Sequence, residues 1–382
     1  MRSDQPRHSV SFVVPCLNEE RTLPFVLEKI KKVCAGELRN RNTEIIVADN
    51  GSTDGSREIA VAHAARVVDC QVRGYGAALQ YGIRSAANDI IVFADADGTY
   101  DFTEAPRLVE ELERGYDLVI GSRLKGNVHP GAMPFLHRYI GTPALNVLIN
   151  SLYSHGRTRI SDCNSGFRCV RRDSFLTWNV KSMGMEFASE MLVRALKSGA
   201  RISEVPISLL PDSRDRTPHL KTWRDGMRHL LQILLEAPNI FHHAGSLVYV
   251  ASWLTIVVGL VTGPVQLGGV SVFGIHTMMF GLLGSLFGLS IWGIGLFLAA
   301  KQATSLRTYR YVLDMSEDKV FWYSVLFAGI SAAFFGWIVI EWARHGFREL
   351  RLEKETLALI AFGSNGVSLV ASVITGHLMK RT

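Results

Sequence analysis

Ile90-Ile91-Val92-Phe93-Ala94-Asp95-Ala96-Asp97-Gly98 is an apolar run that ends in two carboxylates one residue apart. A short Val/Ile-rich run bounded by turn residues reads as a buried strand. Two carboxylates at its tip are costly to gather unless a cation sits between them. A hard divalent ion held by one or two carboxylates keeps open positions for phosphate oxygens. The competing reading is a solvated acidic turn, and the flanking sequence decides between the two.

Outward from that run, residues 10–120 alternate two patterns. Val10–Val14, Glu44–Ala48, Arg66–Asp69, Ile90–Ala94 and Asp117–Ile120 read as strands; Glu20–Val33, Gly55–Ala65, Gly76–Ala87 and Thr103–Glu113 read as helices. That alternation implies an α/β, mainly parallel, doubly wound sheet. Ligands of such sheets gather at the carboxyl ends of the strands. Four motifs fall there: Pro15-Cys16-Leu17-Asn18-Glu19, Asp49-Asn50-Gly51-Ser52-Thr53-Asp54, Arg73-Gly74-Tyr75-Gly76 and Asp95-Ala96-Asp97. A carboxylate at Asp49 suits a nucleobase or ribose, and equally a turn that caps the next helix. Gly74 and Gly76 allow backbone to approach a ligand closely, while Glu19 and Glu20 favour a helix N-terminus.

The second half of the 382-residue chain has a different character. Ala244–Ala300, Val320–Ile340 and Thr356–Met379 contain no Asp, Glu, Lys or Arg. A helix needs about 20 apolar residues to cross the hydrocarbon core. The first stretch divides near Gly263-Pro264 to Gly274, so the expectation is four membrane helices at about 244–264, 276–300, 320–341 and 356–379. Three parts follow: an α/β domain over 1–213, amphipathic interfacial helices over 214–243, and a transmembrane domain over 244–382. Trp223, Met227, Leu230, Leu231 and Leu234 follow helical spacing among Arg216, Lys221, Arg224 and Arg228. A basic amphipathic helix beside a span reads as interfacial. Its charge makes anionic headgroups the expected partner of the net +6 chain, rather than nucleic acid. The spans lack a central charge that would mark a transport path. Gly281, Gly284 and Gly288 favour close helix packing, which fits anchorage and homo-oligomer formation.

Residues 1–9 are polar and the next apolar run is a short strand, so no signal peptide is expected. The N-terminal half is then cytosolic, in an integral membrane protein. The basic 301–319 loop agrees; the equally basic 344–354 segment does not, so loop charge alone leaves the last span's topology open. Five cysteines without CxxC or metal-ligand spacing fit a reducing compartment.

The ordered set VVPCLNEE, VADNGSTDGS, RGYGAAL, FADADG, IGSR and DCNSGFR resembles the family 2 glycosyltransferases of GT-A fold. The downstream FASEMLVRA, EVPISL and terminal membrane helices resemble its polyprenyl-phosphate branch, the dolichol-phosphate mannose or glucose synthases. The resemblance implies a Rossmann-like GT-A catalytic domain followed by an α-helical transmembrane domain. It implies Pro15, Leu17, Glu19, Asp49 and Gly74 around the nucleotide, and Asp95 and Asp97 holding Mg²⁺ or Mn²⁺ on the diphosphate. The implied donor is a UDP- or GDP-sugar and the implied acceptor a polyprenyl phosphate. Two departures stand out. Relatives often carry a second Asp at the place of Asn50, and a metal-contacting Gln at that of Thr99. Thr99 can still offer a hydroxyl, and Asp101 is a further oxygen that would reach the ion through water, which leaves the third ligand open.

A lipid phosphate is largely dianionic near neutral pH, so it needs cations to receive it and no general base. Arg123 and Arg138 are the expected cations because a guanidinium binds phosphate oxygens bidentately, with Arg168 a third. Glu186 and Glu190, four apart on one helical face, would orient the donor sugar's hydroxyls or pair with those arginines. Lys221 or His219 would replace a Ser-Lys pair that approaches the diphosphate in relatives. The expected catalytic set is therefore Asp97, Arg123, Arg138 and Glu186. The expected donor and ion set is Pro15, Leu17, Glu19, Asp49, Gly74, Asp95, Asp97 and Lys221. A processive polysaccharide synthase of the same fold would need a QxxRW motif, which the sequence lacks. A non-catalytic adaptor would not need Asp95, Asp97 and Arg123 intact.

Overall fold

Uninterrupted apolar runs form the interior strands of one seven-stranded sheet. The structure, a computed structural model, describes residues 8–154, 156, 158–212, 222–267, 270–302, 306–347 and 354–381. Two units divide it, 1–233 and 234–382. In the first, β1 (Val10–Cys16), β2 (Thr43–Asp49), β3 (Arg66–Asp69), β4 (Ile90–Phe93), β5 (Leu118–Val128), β6 (Arg168–Arg171) and β7 (Ile202–Leu209) lie in the order 3-2-1-4-6-5-7. Helices α1 (Leu23–Ala35), α2 (Ser56–Ala62), α3 (Tyr75–Ser85) and α4 (Ala105–Glu113) connect the first five. Every expected strand and helix of residues 10–120 is present. The last helix starts as a 3₁₀ turn, Phe102–Glu104, before α4.

Every residue of β1 and β4 is buried, as strands covered on both faces by crossover helices must be. Helix α1 follows the one-face rule: Leu23, Val26, Leu27, Ile30 and Val33 are its buried residues. Each such side chain contributes about 1.5–3 kcal/mol through burial. Phe12, Phe102 and Phe167 meet beneath the sheet, with ring centroids 6.2 Å and 5.4 Å apart for the two successive pairs.

The sheet holds a feature that local sequence patterns do not carry. Strand β6 runs antiparallel between β4 and β5, pairing Phe93 and Ile120 with Arg168. The chain reaches it after two π-helical turns, His137–Gly141 and Asn150–Ser154, that flank α5 (Thr142–Ile149). The loop just before β6 is thereby brought beside Asp95. Helices α6 (Arg172–Trp178), α7 (Phe187–Lys197) and α8 (Thr222–Leu235) complete this part of the chain.

The second unit contains α9 (Pro238–Thr262), a hairpin of β8 (Val265–Leu267) and β9 (Val270–Val272), α10 (Ile275–Lys301), α11 (Arg307–Leu313), α12 (Glu317–Arg344) and α13 (Lys354–Arg381). Four of these helices are long and apolar enough to cross a membrane, at 25, 27, 28 and 28 residues. Small residues set the contact of α9 with α10. A Cβ on Gly245 would meet Trp292 N at 2.5 Å, and one on Gly288 would meet Tyr249 N at 2.6 Å. Between α10 and α13, Asn365 Nδ2 donates to Ser285 Oγ at 2.8 Å.

Candidate active site

The turns after β1 and β2 are laced to each other. Asn18, in the left-handed region at φ 58°, accepts from Thr53 N at 2.8 Å, and its own N–H donates to Ser52 Oγ at 3.0 Å. Glu19 N donates to Ser56 Oγ at 2.8 Å, while the Glu19 carboxylate accepts from Thr22 Oγ1 at 3.0 Å. Asp49 is 1 % exposed and accepts from Ser52 N at 3.1 Å and Arg57 Nη1 at 2.9 Å. Asp49 therefore builds the turn after β2. Pro15 lies buried in β1, and Leu17 is half-buried just beyond it.

Asn50 is a strut. Its Nδ2 donates to Val72 O and its Oδ1 accepts from Gly74 N, both at 2.7 Å. That pair of bonds fixes the Arg73-Gly74 turn, where Gly74 adopts φ 141° and a Cβ would meet Met183 O at 2.1 Å. An aspartate at position 50 has no proton for Val72 O. Asn50→Asp is expected to lower stability by about 1–3 kcal/mol, the cost of an unmatched buried polar group. The midpoint of thermal unfolding checks this.

At the tip of β4, Ala96 is 3 % exposed and turns into the core, so Asp95 and Asp97 flank it on the outside. Asp97 Oδ1 accepts from Thr99 Oγ1 at 2.6 Å and Thr99 N at 3.0 Å, so the Thr99 hydroxyl steadies Asp97. Asp101, expected to reach the ion through water, has partners of its own. It caps the 3₁₀ turn through Thr103 N at 3.1 Å and pairs with Lys29 at 3.3 Å. The Tyr75 phenol lies beside Asp95. Burial first, then the Asp95 charge, push this phenol well above its ordinary value and keep it a proton donor. Gly166 closes the other side, where a Cβ would meet Asp95 Oδ2 at 3.0 Å. Among the described residues no group of three or more His, Cys, Asp or Glu side chains could hold a metal. Two carboxylates suit an ion that completes its shell with diphosphate oxygens and water.

Asp95 opens into a cavity of about 490 Å³ that Arg123, Tyr75 and His137 also line. Arg123, on β5, grips Asp162 through Nε at 2.8 Å and Nη2 at 2.7 Å, with side-chain exposures of 13 % and 0 %. Nη1 has no hydrogen-bond partner among the described residues, which leaves it for a ligand. Burial, then the neighbouring Arg123, hold the His137 imidazole below its ordinary value, so it is neutral at pH 7. The rest of the wall is mostly apolar: Leu136, Ile140, Leu145 and Leu148 from the helical segment around α5, and Met227 and Leu230 from α8.

The other expected cations and carboxylates separate. Arg138 sits on the π-helical turn with its guanidinium 5.4 Å from the Tyr139 ring, and His137 and Ile140 line the cavity beside it. Arg168 does not face a phosphate. It is 1 % exposed and donates to the carbonyls of Cys163, Ala188 and Ser165 at 2.7, 2.9 and 3.0 Å. Its position between β4 and β5 buries it, and it braces the loop over Asp95. Glu190 turns inward to Ser182 N at 2.6 Å and Arg194 Nε at 2.6 Å. Glu186 keeps one buried oxygen, Oε2, without a partner among the described residues. Lys221, His219 and Arg216 lie outside the described residues. Sequence reading missed Tyr75 and His137 as site residues, although Tyr75 stands inside a motif it had singled out and His137 directly precedes Arg138. It also missed His229, 7 % exposed on α8 and hydrogen-bonded to Ser189; only three-dimensional packing reveals that pair.

Residues 11–177 match the profile of Glycosyl transferase family 2. The chain is similar to the low-salt glycan biosynthesis hexosyltransferase Agl6 of Haloferax volcanii, at 35% identity over 353 residues that span 90% of this chain and 82% of that protein. It is 30% identical to the dolichyl-phosphate hexose transferase of the same organism over 200 residues, 52% of this chain and 81% of that one. The crystal structure of glucosyl-3-phosphoglycerate synthase from Mycobacterium tuberculosis aligns with 59% of this chain and 79% of its own, at 24% identity and a TM-score of 0.48.

Proposed function

Because the chain belongs to glycosyl transferase family 2, we propose that it moves one hexose from a UDP- or GDP-sugar to a polyprenyl phosphate, inverting the anomeric carbon. The carrying observation is that one cavity holds Asp95 and Arg123, with Tyr75, His137, Asn164 and His229 among its other polar groups, beside an apolar wall of leucines, Ile140 and methionines. A sugar acceptor has no use for such walls. A prenyl chain does, since each buried methylene contributes about 0.8 kcal/mol. The segment around the cavity also exposes large apolar side chains: Phe135 at 72%, Val147 at 69% and Met227 at 53%. That is a surface suited to lipid. The dolichyl-phosphate hexose transferase among the relatives supports the same acceptor.

The lipid phosphate is the nucleophile. Its second pKa is about 6, so it is already largely dianionic at neutral pH and asks no base of the protein. One of its oxygens bonds to the anomeric carbon opposite the nucleoside diphosphate, whose bond to that carbon breaks. Arg123, fixed by Asp162, offers Nη1 to the incoming phosphate, and Arg138 adds positive charge nearby. Asp95 and Asp97 would hold Mg²⁺ or Mn²⁺, which when bound offsets the charge of the leaving diphosphate. Pro15, Leu17, Glu19, Asp49 and Gly74 stand around the nucleoside, and Glu186 accepts from a hydroxyl of the donor sugar. Lys221 remains the proposed diphosphate cation. Exposed Arg224 and Arg228 on α8 favour an anionic leaflet, and the reaction is placed on the cytosolic side.

The test is purified full-length protein in lipid with Mg²⁺, a panel of UDP- and GDP-sugars and a short polyprenyl phosphate. Mass spectrometry is expected to find one polyprenyl phosphoryl hexose. Absence of a glycolipid with every donor would remove this reading.

A further inference from the structure

We infer that Gly184 is a specificity-determining position for the donor sugar, because its missing side chain is what lets the Glu186 carboxylate lie where it does. The inference rests on the reading of Glu186 as a contact to a sugar hydroxyl. The loop before α7 is tied down along its length. Lys181 N and Ser182 N both donate to Glu190, the latter at 2.6 Å. From α3, Gln80 Nε2 donates to Ser182 O at 2.9 Å and Ala77 N donates to Met183 O at 3.0 Å. Gly184 N then donates to Glu186 Oε1 at 3.2 Å, which folds the carboxylate back across position 184. The next residue, Met185, lines the cavity.

A Cβ at position 184 would stand 2.5 Å from Glu186 Oε2, 2.9 Å from Oε1 and 3.0 Å from Cδ. Those atoms are the movable end of one side chain. Gly184 is not among the positive-φ glycines, so its backbone suits any residue. Gly74 and Gly76 differ, since a Cβ on either would strike backbone carbonyls of the same loop, at 2.1 and 2.5 Å. The fold therefore requires glycine at 74 and 76. At 184 the atoms in the way are those of the Glu186 carboxylate. That carboxylate ends in a buried acceptor with no partner among the described residues. An O–H donor of a bound sugar would relieve it, and a shift of the carboxylate would break the match. Glu190 and Gln80 act through the loop and are positioning residues.

The experiment compares wild type, Gly184→Ala and Glu186→Gln, all full-length in lipid, by kcat/KM for the preferred donor and its single-deoxy analogues, with unfolding midpoints alongside. Wild type is expected to reject one deoxy donor by about tenfold or more, as sites that hydrogen-bond a hydroxyl do. Gly184→Ala should erase most of that ratio, approaching Glu186→Gln, at an unchanged midpoint. Loss of the ratio in Glu186→Gln alone would overturn the role of Gly184 and leave Glu186 in place. A full ratio in Glu186→Gln, or no discrimination in wild type, would remove the reading of Glu186 itself. A lowered midpoint in Gly184→Ala would show that the fold needs this glycine and would also overturn the inference.

Discussion

Asp95→Asn is expected to abolish sugar transfer, by about 10³-fold or more, while leaving the unfolding midpoint where it is. The substitution keeps the shape of the side chain, and Gly166 leaves room beside it. Only the negative charge goes. In wild type that charge, with Asp97, is what would retain a divalent ion against a donor diphosphate. Losing one preorganised electrostatic contact costs about 10²–10³ in rate, and loss of the ion itself costs more. Manganese binding in the presence of nucleotide, followed by electron paramagnetic resonance, should weaken in parallel with transfer. Chelator-treated wild type should fall silent and recover with Mg²⁺ or Mn²⁺. A variant that still transfers at the wild-type rate, or a stripped enzyme that does, would exclude the role assigned to this carboxylate.

The sheet was legible because its strands are short apolar runs and its helices carry one apolar face, both local patterns. Val10–Cys16 and Ile90–Phe93 declare themselves in this way. The position of Asp95 and Asp97 at a strand tip followed directly. Strand β6 was not legible, since its pairing with β4 joins residues about eighty apart and reverses direction. The arginine read as a phosphate ligand, Arg168, is for that reason an internal brace. Asn50 and Glu190 show the same limit from another side. Each carries polar groups that suit a ligand, and each is satisfied by loop backbone, from 24 residues away for Asn50 and from the loop before α7 for Glu190. Motif spacing finds the strand tips but does not tell which side chains there bind substrate and which hold the loops.

Arg123→Lys is expected to lower transfer by about 10²-fold through the acceptor, with donor binding little changed. The guanidinium spends Nε and Nη2 on Asp162 and keeps Nη1, so in the proposed reading one planar group would meet a carboxylate and a phosphate at once. An ammonium is a point charge and cannot reproduce that fork. Removing the partner has a different outcome. Asp162 is fully buried, and Asp162→Asn leaves Arg123 without its counter-charge in a site of 13 % exposure. Breaking such a pair typically costs about 3–5 kcal/mol, so this variant should lose stability as well as rate. Rates for both single variants and the double variant form a cycle. If Asp162 acts on transfer through Arg123, the double variant should be scarcely slower than the worse single one. Independent, additive losses would mean that the two residues serve the reaction separately.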